Sequence, residues 1–130
     1  MDIKQELRAL LKKSSKIDVE VAELNKLCER LSVLQRQATS YRGNDFKDLY
    51  NRKFKLETKI EHDIDSLADE KEDIKKTVED LDGERYVVVA MRYFAEKSWL
   101  DIATFLHYSV RQVHRIHQKA LDDLREKTES

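Results

Sequence analysis

The fold of the C-terminal third is decided by the stretch Ser98-Trp99-Leu100-Asp101-Ile102-Ala103-Thr104-Phe105-Leu106-His107-Tyr108-Ser109-Val110-Arg111-Gln112-Val113. Ser98 precedes an apolar helical run and has Asp101 three residues later, while Ser109 precedes a second run and has Gln112 three residues later. Each pair predicts a capping box at a helix N-terminus. Only two residues separate the predicted helices, too few for an antiparallel hairpin. The helices are therefore predicted to cross steeply, as in a helix-turn-helix.

The apolar residues around this stretch fit a three-helix domain. The core positions of a helix-turn-helix are occupied here by Ile102, Leu106, Val113 and Ile116, and small Ala103 lies where the two helices approach most closely. The preceding segment, 84–94, contains three consecutive valines, which suit a strand, but no second strand-like segment exists to pair with it. We therefore predict a short buried helix there. The last helix is predicted to run from residue 110 to about residue 127.

The rest of the chain is predicted to form two long helices, because it has no proline and only two glycines, Gly43 and Gly83. Residues 1–42 follow a heptad pattern, with Leu7, Val21 and Cys28 at a and with Ile3, Leu10, Ile17, Leu24, Leu31 and Ala38 at d. Residues 46–82 repeat this logic with Phe46, Tyr50, Ile60, Ile64, Leu67, Ile74, Val78 and Leu81.

A turn near residues 42–45 is expected to join the two arms. Gly43 can end the first helix with a positive φ, and Asn44 or Asp45 can cap the second. The predicted fold is all-α: an antiparallel coiled-coil hairpin over residues 1–82, followed by a three-helix helix-turn-helix domain over residues 83–130. The hairpin can close on itself as a monomer, or its wide apolar stripes can pair between chains in a homodimer.

Charge is distributed unevenly along a chain whose net charge is only −1. Residues 1–42 contain 9 basic and 6 acidic side chains, residues 44–82 contain 8 and 13, and residues 84–130 contain 8 and 7. Between His107 and Leu121 there are three basic residues, three histidines and no acidic residue. This local enrichment is typical of a surface that contacts phosphates.

The outward face of the last helix is predicted to bind double-stranded DNA in the major groove. Arginine donates two hydrogen bonds to guanine and glutamine pairs similarly with adenine, while Lys119, Tyr108 and the helix N-terminus capped by Ser109 reach phosphates. The predicted face consists of Arg111, Gln112, His114, Arg115, Gln118 and Lys119.

The residues of this region resemble region 4 of sigma-70-type transcription factors. The resemblance rests on Met91-Arg92-Tyr93-Phe94, on Ser98-Trp99-Leu100-Asp101-Ile102-Ala103, on Tyr108-Ser109, and on Val113, Ile116-His117 and Lys119-Ala120-Leu121. Including the coiled-coil N-terminal half, the chain is similar to small sigma-region-4-like proteins of prophages and mobile elements, some of which are regarded as phage transcriptional regulators.

The resemblance implies promoter recognition by the last helix, with RNA polymerase as a further partner. The base-contacting positions of region 4 correspond here to Val110, Arg111 and Arg115, with Gln112 and His114 alongside. Val110 stands where sigma factors often have a polar residue, so the DNA sequence preferred should differ from an ordinary −35 element. The turn position that is often glycine is His107 here, which requires a left-handed conformation. No segment resembles the DNA-melting region, so the chain is not a complete sigma factor.

Other function classes fit the sequence less well. There is no glycine-rich phosphate loop, nucleophile motif or carboxylate pair of an enzyme, and no cofactor is expected. The histidines His107, His114 and His117 lack the acidic partners of a zinc site, and Cys28 is a lone cysteine. No apolar run is long enough to span a membrane, so a cytoplasmic protein is expected. The rival hypothesis is a protein-interaction module that binds RNA polymerase or a sigma factor without touching DNA.

Overall fold

The computed structural model describes residues 2–37 and 43–129, and all regular structure in these ranges is helical. Helix α1 spans Ile3–Arg36 and α2 spans Gly43–Val78. Helix α3, Gly83–Val89, continues as a π-helical turn over Ala90–Phe94, and it is followed by α4, Trp99–Leu106, and α5, Val110–Glu129. The predicted all-α class is confirmed. Among the described helices, none combines the length and apolar character that a membrane span requires.

The turn predicted near residues 42–45 does not include residues 43–45, which belong to α2. Helix α1 ends at Arg36 and α2 begins at Gly43, so the backbone of residues 43–45 is helical. At the end of α1 the Gln37 N–H is shared between the carbonyls of Val33 and Leu34, at 3.2 and 3.1 Å, a tightening typical of a last helical turn. Glycine tolerates a positive φ without requiring it, so its position alone did not mark the break. Ala38 and Arg42, assigned to the first arm, lie outside the described residues.

The chain divides into two compact units, and both long helices contribute to each. One unit, the helix-pair unit, comprises Lys13–Leu67. The other, the C-terminal unit, comprises the start of α1 through Lys12 together with the chain from Ala68 onward. These units do not follow the division at residue 83, which stays a prediction about which part folds independently.

In the helix-pair unit, α1 and α2 run antiparallel. The amide of Gln35 donates to the Tyr50 hydroxyl at 3.3 Å, and the Lys59 ammonium lies 3.6 Å from the Glu20 carboxylate, so later residues of α1 meet earlier residues of α2. The buried apolar side chains between the two helices are Ile17, Leu31, Leu49, Ile60 and Leu67.

Most residues of the predicted stripes are buried or half-buried, but some are exposed; the buried ones are Ile3, Leu7, Leu10, Ile17, Leu31, Ile60, Leu67 and Val78. On α1, Val21 at a heptad a position is exposed, while the preceding Glu20 is only 4% exposed. On α2, the predicted stripe residues Tyr50 and Ile64 are exposed, and Phe54 is exposed as well. A straight helix drifts against a strict seven-residue repeat, so the contact line moves from one column of residues to the next.

The core of the C-terminal unit is built from all of its helices. Leu7, Leu10 and Val78 are fully buried near the ends of the long helices, and Val88 and Val89 of α3 are fully buried as well. The predicted short buried helix over residues 84–94 is confirmed, except that its last five residues are π-helical, with the Ala95 N–H donating to the Ala90 carbonyl at 3.0 Å.

The helix-turn-helix core forms where the apolar spacing predicted it. Val88, Ile102, Ala103 and Val113 are buried together. Six partly buried side chains pack against this cluster: Met91, Trp99, Leu106, Tyr108, Val110 and Ile116. The buried position of Ala103 agrees with its predicted place at the closest approach of α4 and α5.

Candidate nucleic-acid interface

The turn between α4 and α5 is closed by local hydrogen bonds. His107 adopts the left-handed conformation, with φ 59° and ψ 38°, as its place in the turn requires. The N–H of His107 donates to the Thr104 carbonyl at 3.3 Å, and the N–H of Tyr108 donates to the Ala103 carbonyl at 2.9 Å. This is the Schellman pattern, which satisfies the last carbonyls of α4 and directs the chain into α5.

Both predicted caps form. The Ser98 hydroxyl accepts the N–H of Asp101 at 3.1 Å. At the start of α5 the box is reciprocal, because the Ser109 hydroxyl accepts the N–H of Gln112 at 3.1 Å and the Gln112 side chain accepts the N–H of Ser109 at 2.9 Å. The first turn of α5 is thereby held in place by its own residues.

Replacing Ser109 by alanine should lower the free energy of unfolding by about 0.5–2 kcal/mol, because the N–H of Gln112 loses its acceptor. Ser109→Gly should cost only a few tenths of a kcal/mol, since glycine leaves the helix N-terminus open to water. Urea unfolding followed by circular dichroism measures both. Equal losses for the two variants would contradict the capping role.

A row of basic side chains lies along the exposed face of α5. Arg111, Arg115 and Lys119 are all exposed and follow one another at four-residue intervals, which places them on one face of the helix. His114 and Gln118, also exposed, form the adjacent row. Asp122 is the first acidic residue of the helix. The part of α5 nearest the turn therefore carries positive charge without a carboxylate of its own.

Two other predicted contact residues face the protein as much as the solvent. Val110 is half-buried against the helix-turn-helix core. Tyr108 packs on the same core, and its hydroxyl donates to the carboxylate of Glu84, which raises the pKa of the phenol. The Tyr108 hydroxyl therefore already donates its hydrogen bond within the protein. A contact with phosphate would have to replace the bond to Glu84.

The two glutamines of the predicted face are also engaged. Gln112 gives its side-chain oxygen to the capping box, and Gln118 donates from its amide nitrogen to Asp122 at 3.1 Å. A bidentate contact to adenine uses both the oxygen and the nitrogen of a glutamine amide. Such a contact would break these bonds, whereas the side chains of Arg111, Arg115 and Lys119 make no hydrogen bond or ion pair to the residues that the structure describes.

A cluster of rings between α4 and α5, centred on Trp99, was not predicted from the sequence. The Trp99 ring lies 4.5 Å from the His114 ring and 4.8 Å from the His117 ring, centroid to centroid. The Arg92 guanidinium lies 4.6 Å from the centroid of the same Trp99 ring, a cation–π arrangement. One face of His114 therefore braces α5 against the start of α4.

His117 belongs to the core of the domain. It is 9% exposed, and its Nε2 lies 2.7 Å from the hydroxyl of Tyr93, itself buried. Its spacing from Val113 and Leu121, four residues each way, places it on the buried stripe, so the helical period could have revealed it. The core positions predicted for the last helix, Val113 and Ile116, did not include this histidine.

The environment of His117 favours the neutral ring. The pKa of His117 falls from 6.5 to about 4, mainly because the ring is buried and in smaller part because of the nearby charges of His114, Lys4, Arg92 and Arg8. Burial likewise raises the pKa of Tyr93, which keeps its hydroxyl protonated. Neutral His117 therefore accepts a hydrogen bond at Nε2 from the Tyr93 hydroxyl. Within the described ranges, no group of three or more His, Cys, Asp or Glu side chains is arranged to hold a metal ion.

Comparison with known proteins gives no match: no protein-family model, curated protein or solved structure is similar to this chain.

Proposed function

We propose that the protein is a sequence-specific DNA-binding transcriptional regulator that places α5 in the major groove. The observation that carries the proposal is the exposed row of Arg111, Arg115 and Lys119 on a helix whose N-terminus is fixed by a left-handed turn and a capping box. A recognition helix needs this combination, because its side chains must reach base edges from a rigid support.

The roles proposed for the face follow from what each side chain is free to do. Arg111 and Arg115 read base edges, since their guanidinium groups can bond guanine in bidentate fashion. Lys119 contacts phosphate, and His114 supports the row from its position on Trp99. The resemblance to sigma-region-4-like proteins of prophages and mobile elements suggests a promoter as the target and the cytoplasm as the place of action.

The decisive experiment is selection of bound sequences from a random double-stranded DNA library, followed by affinity measurements at increasing salt. We expect a consensus to emerge, and the logarithm of the affinity should fall linearly with the logarithm of the salt concentration, by about 0.9 for each phosphate contacted. A library that yields no consensus, together with no measurable binding to any duplex, would overturn the proposal.

A groove in the C-terminal unit favours a second candidate function. Its volume is about 830 Å³, and its apolar wall consists of Tyr86, Ala90, Met91, Phe94 and Ala95. Charged side chains of α2, Lys71, Glu72, Lys75, Lys76 and Glu79, line the opposite side. Such a surface suits a protein segment with an apolar face. In this alternative, the protein binds RNA polymerase or a sigma factor without DNA, and co-purification with polymerase but not with duplex would support it.

A further inference from the structure

An apolar stripe of α2 in the helix-pair unit is left uncovered. Phe54 is 71% exposed, Ile64 48% and Tyr50 42%. Glu57 and Glu61 complete the stripe, since residues 50, 54, 57, 61 and 64 follow each other at intervals of four and three. Tyr50 and Phe54 are neighbours on this stripe, and Ile64 follows beyond the two glutamates. Exposed large apolar side chains that share one helix face mark an interaction surface.

The neighbouring helix extends this surface with a residue of its own. The bond between Gln35 and Tyr50 shows which flank of α1 borders the stripe. Val21 is exposed and lies two heptads before Gln35, which places it on the same flank. Both helices therefore present apolar side chains on one side of the pair.

Charged residues in and beside the stripe lie at equal distances from Glu57. Lys53 lies four residues before Glu57 and pairs with it at 2.7 Å, which raises the pKa of the lysine, while Glu61 lies four residues after it. Tyr50 and Ile64 lie seven residues before and after the same position. A two-fold axis at residue 57 maps Tyr50 onto Ile64 and maps Lys53, beside the stripe, onto Glu61, so these positions are complementary to those of a second copy.

We propose that the stripe binds a second copy of this chain, α2 against α2 in antiparallel orientation, with the two-fold axis at Glu57. Tyr50 then lies level with Ile64 of the second copy, and Lys53 lies level with its Glu61, so that apolar meets apolar and positive meets negative. A parallel pairing in register would place Glu61 against Glu61, which like-charge repulsion disfavours. At the axis the two Glu57 carboxylates come close to each other. The ion pair of Lys53 with Glu57 within each copy reduces the repulsion between them.

Other occupants fit the stripe less well. Its two glutamates repel the phosphates of DNA and of anionic lipids. The proposal is independent of DNA binding, because the stripe lies within Lys13–Leu67 and the test needs no DNA. If both proposals hold, the dimer presents two α5 helices and the selected operator should be palindromic.

Light scattering with the full chain, from low to high micromolar concentration, tests the oligomeric state. The protein should be a dimer, and Phe54→Lys combined with Ile64→Lys should make it a monomer with an unchanged circular dichroism spectrum. The matched control is Val33→Lys, an exposed valine of α1 outside the heptad seam, and this variant should remain dimeric. A monomeric wild type would overturn the proposal, and so would a double variant that remains a dimer.

Cysteine crosslinking tests the position of the axis. In a Cys28→Ser background, Glu57→Cys should form a disulfide-linked dimer on mild oxidation, because residues at a two-fold axis come close enough for a disulfide. Lys55→Cys, exposed and outside the stripe, should not crosslink. Equal crosslinking of the two variants would overturn the position of the axis. Crosslinking of Glu57→Cys to a different protein instead of a second copy would overturn the proposed dimer.

Discussion

Replacing both Arg111 and Arg115 by alanine should weaken binding to the selected DNA site by at least about 30-fold. Each arginine that reads a base contributes about 1–3 kcal/mol, and the two are separated by one helical turn on the exposed face of α5. The double variant should lose affinity for the selected site in particular. Its affinity for that site should therefore approach its affinity for scrambled duplex. Fluorescence anisotropy at fixed salt measures both affinities.

Two controls separate base recognition from charge. Arg30→Ala with Arg52→Ala removes the same charge from exposed positions of α1 and α2 and should leave binding nearly unchanged. Lys119→Ala should weaken selected and scrambled duplex alike, since a phosphate contact carries no sequence information. Retention of full affinity and specificity by the double arginine variant would refute the assignment of α5 as the recognition helix.

The free energy of unfolding should fall by about 2–3 kcal/mol as the pH is lowered from about 6.5 to about 4, through His117 alone. The unfolded chain takes up a proton on this residue near pH 6.5, whereas the folded protein resists protonation until about pH 4 because the ring is buried. Above this window the histidine is neutral in the unfolded chain as well. At pH 7 its protonation therefore does not lower the free energy of unfolding. Acid disfavours the fold because Nε2 must stop accepting from Tyr93 once it is protonated.

The variant His117→Gln isolates this contribution, since glutamine fills a similar space and does not titrate. The difference in unfolding free energy between wild type and variant, from urea titrations at successive pH values, should shrink as the pH falls through the window. His62→Gln, at an exposed position of α2, controls for the loss of a histidine and should keep the wild-type slope. Parallel curves for wild type and His117→Gln would contradict the buried neutral histidine.

Features that depend on neighbours in the chain were predictable. Ser98 with Asp101 and Ser109 with Gln112 form caps because their partners are three residues away, and no distant contact is needed to bring them together. The crossing of α4 and α5 follows from the two-residue turn between them. The exposure of Arg111, Arg115 and Lys119 follows from the helical period, which also places Val113 and Leu121 inside.

Features that depend on distant residues were missed. Tyr108 is predicted to contact phosphate, but its hydroxyl donates a hydrogen bond to Glu84, which is 24 positions earlier in the chain. The contact of Tyr93 with His117 also joins residues 24 positions apart. The position of the break between α1 and α2 was misjudged for another reason, because a glycine permits a turn without imposing one.

The sequence by itself determined the helical class, the caps and the charge of the α5 face, since these depend on residue type and on spacing within one helix. Only the tertiary structure decided which polar groups of that face are committed elsewhere and which flank of α2 stays uncovered. The physical reason is that the partners of a hydrogen-bonding group or an apolar side chain are the groups that the fold places next to it, and these are often distant in sequence. Tyr50, Phe54 and Ile64 could all have packed against α1, and the register of the helix pair left them exposed.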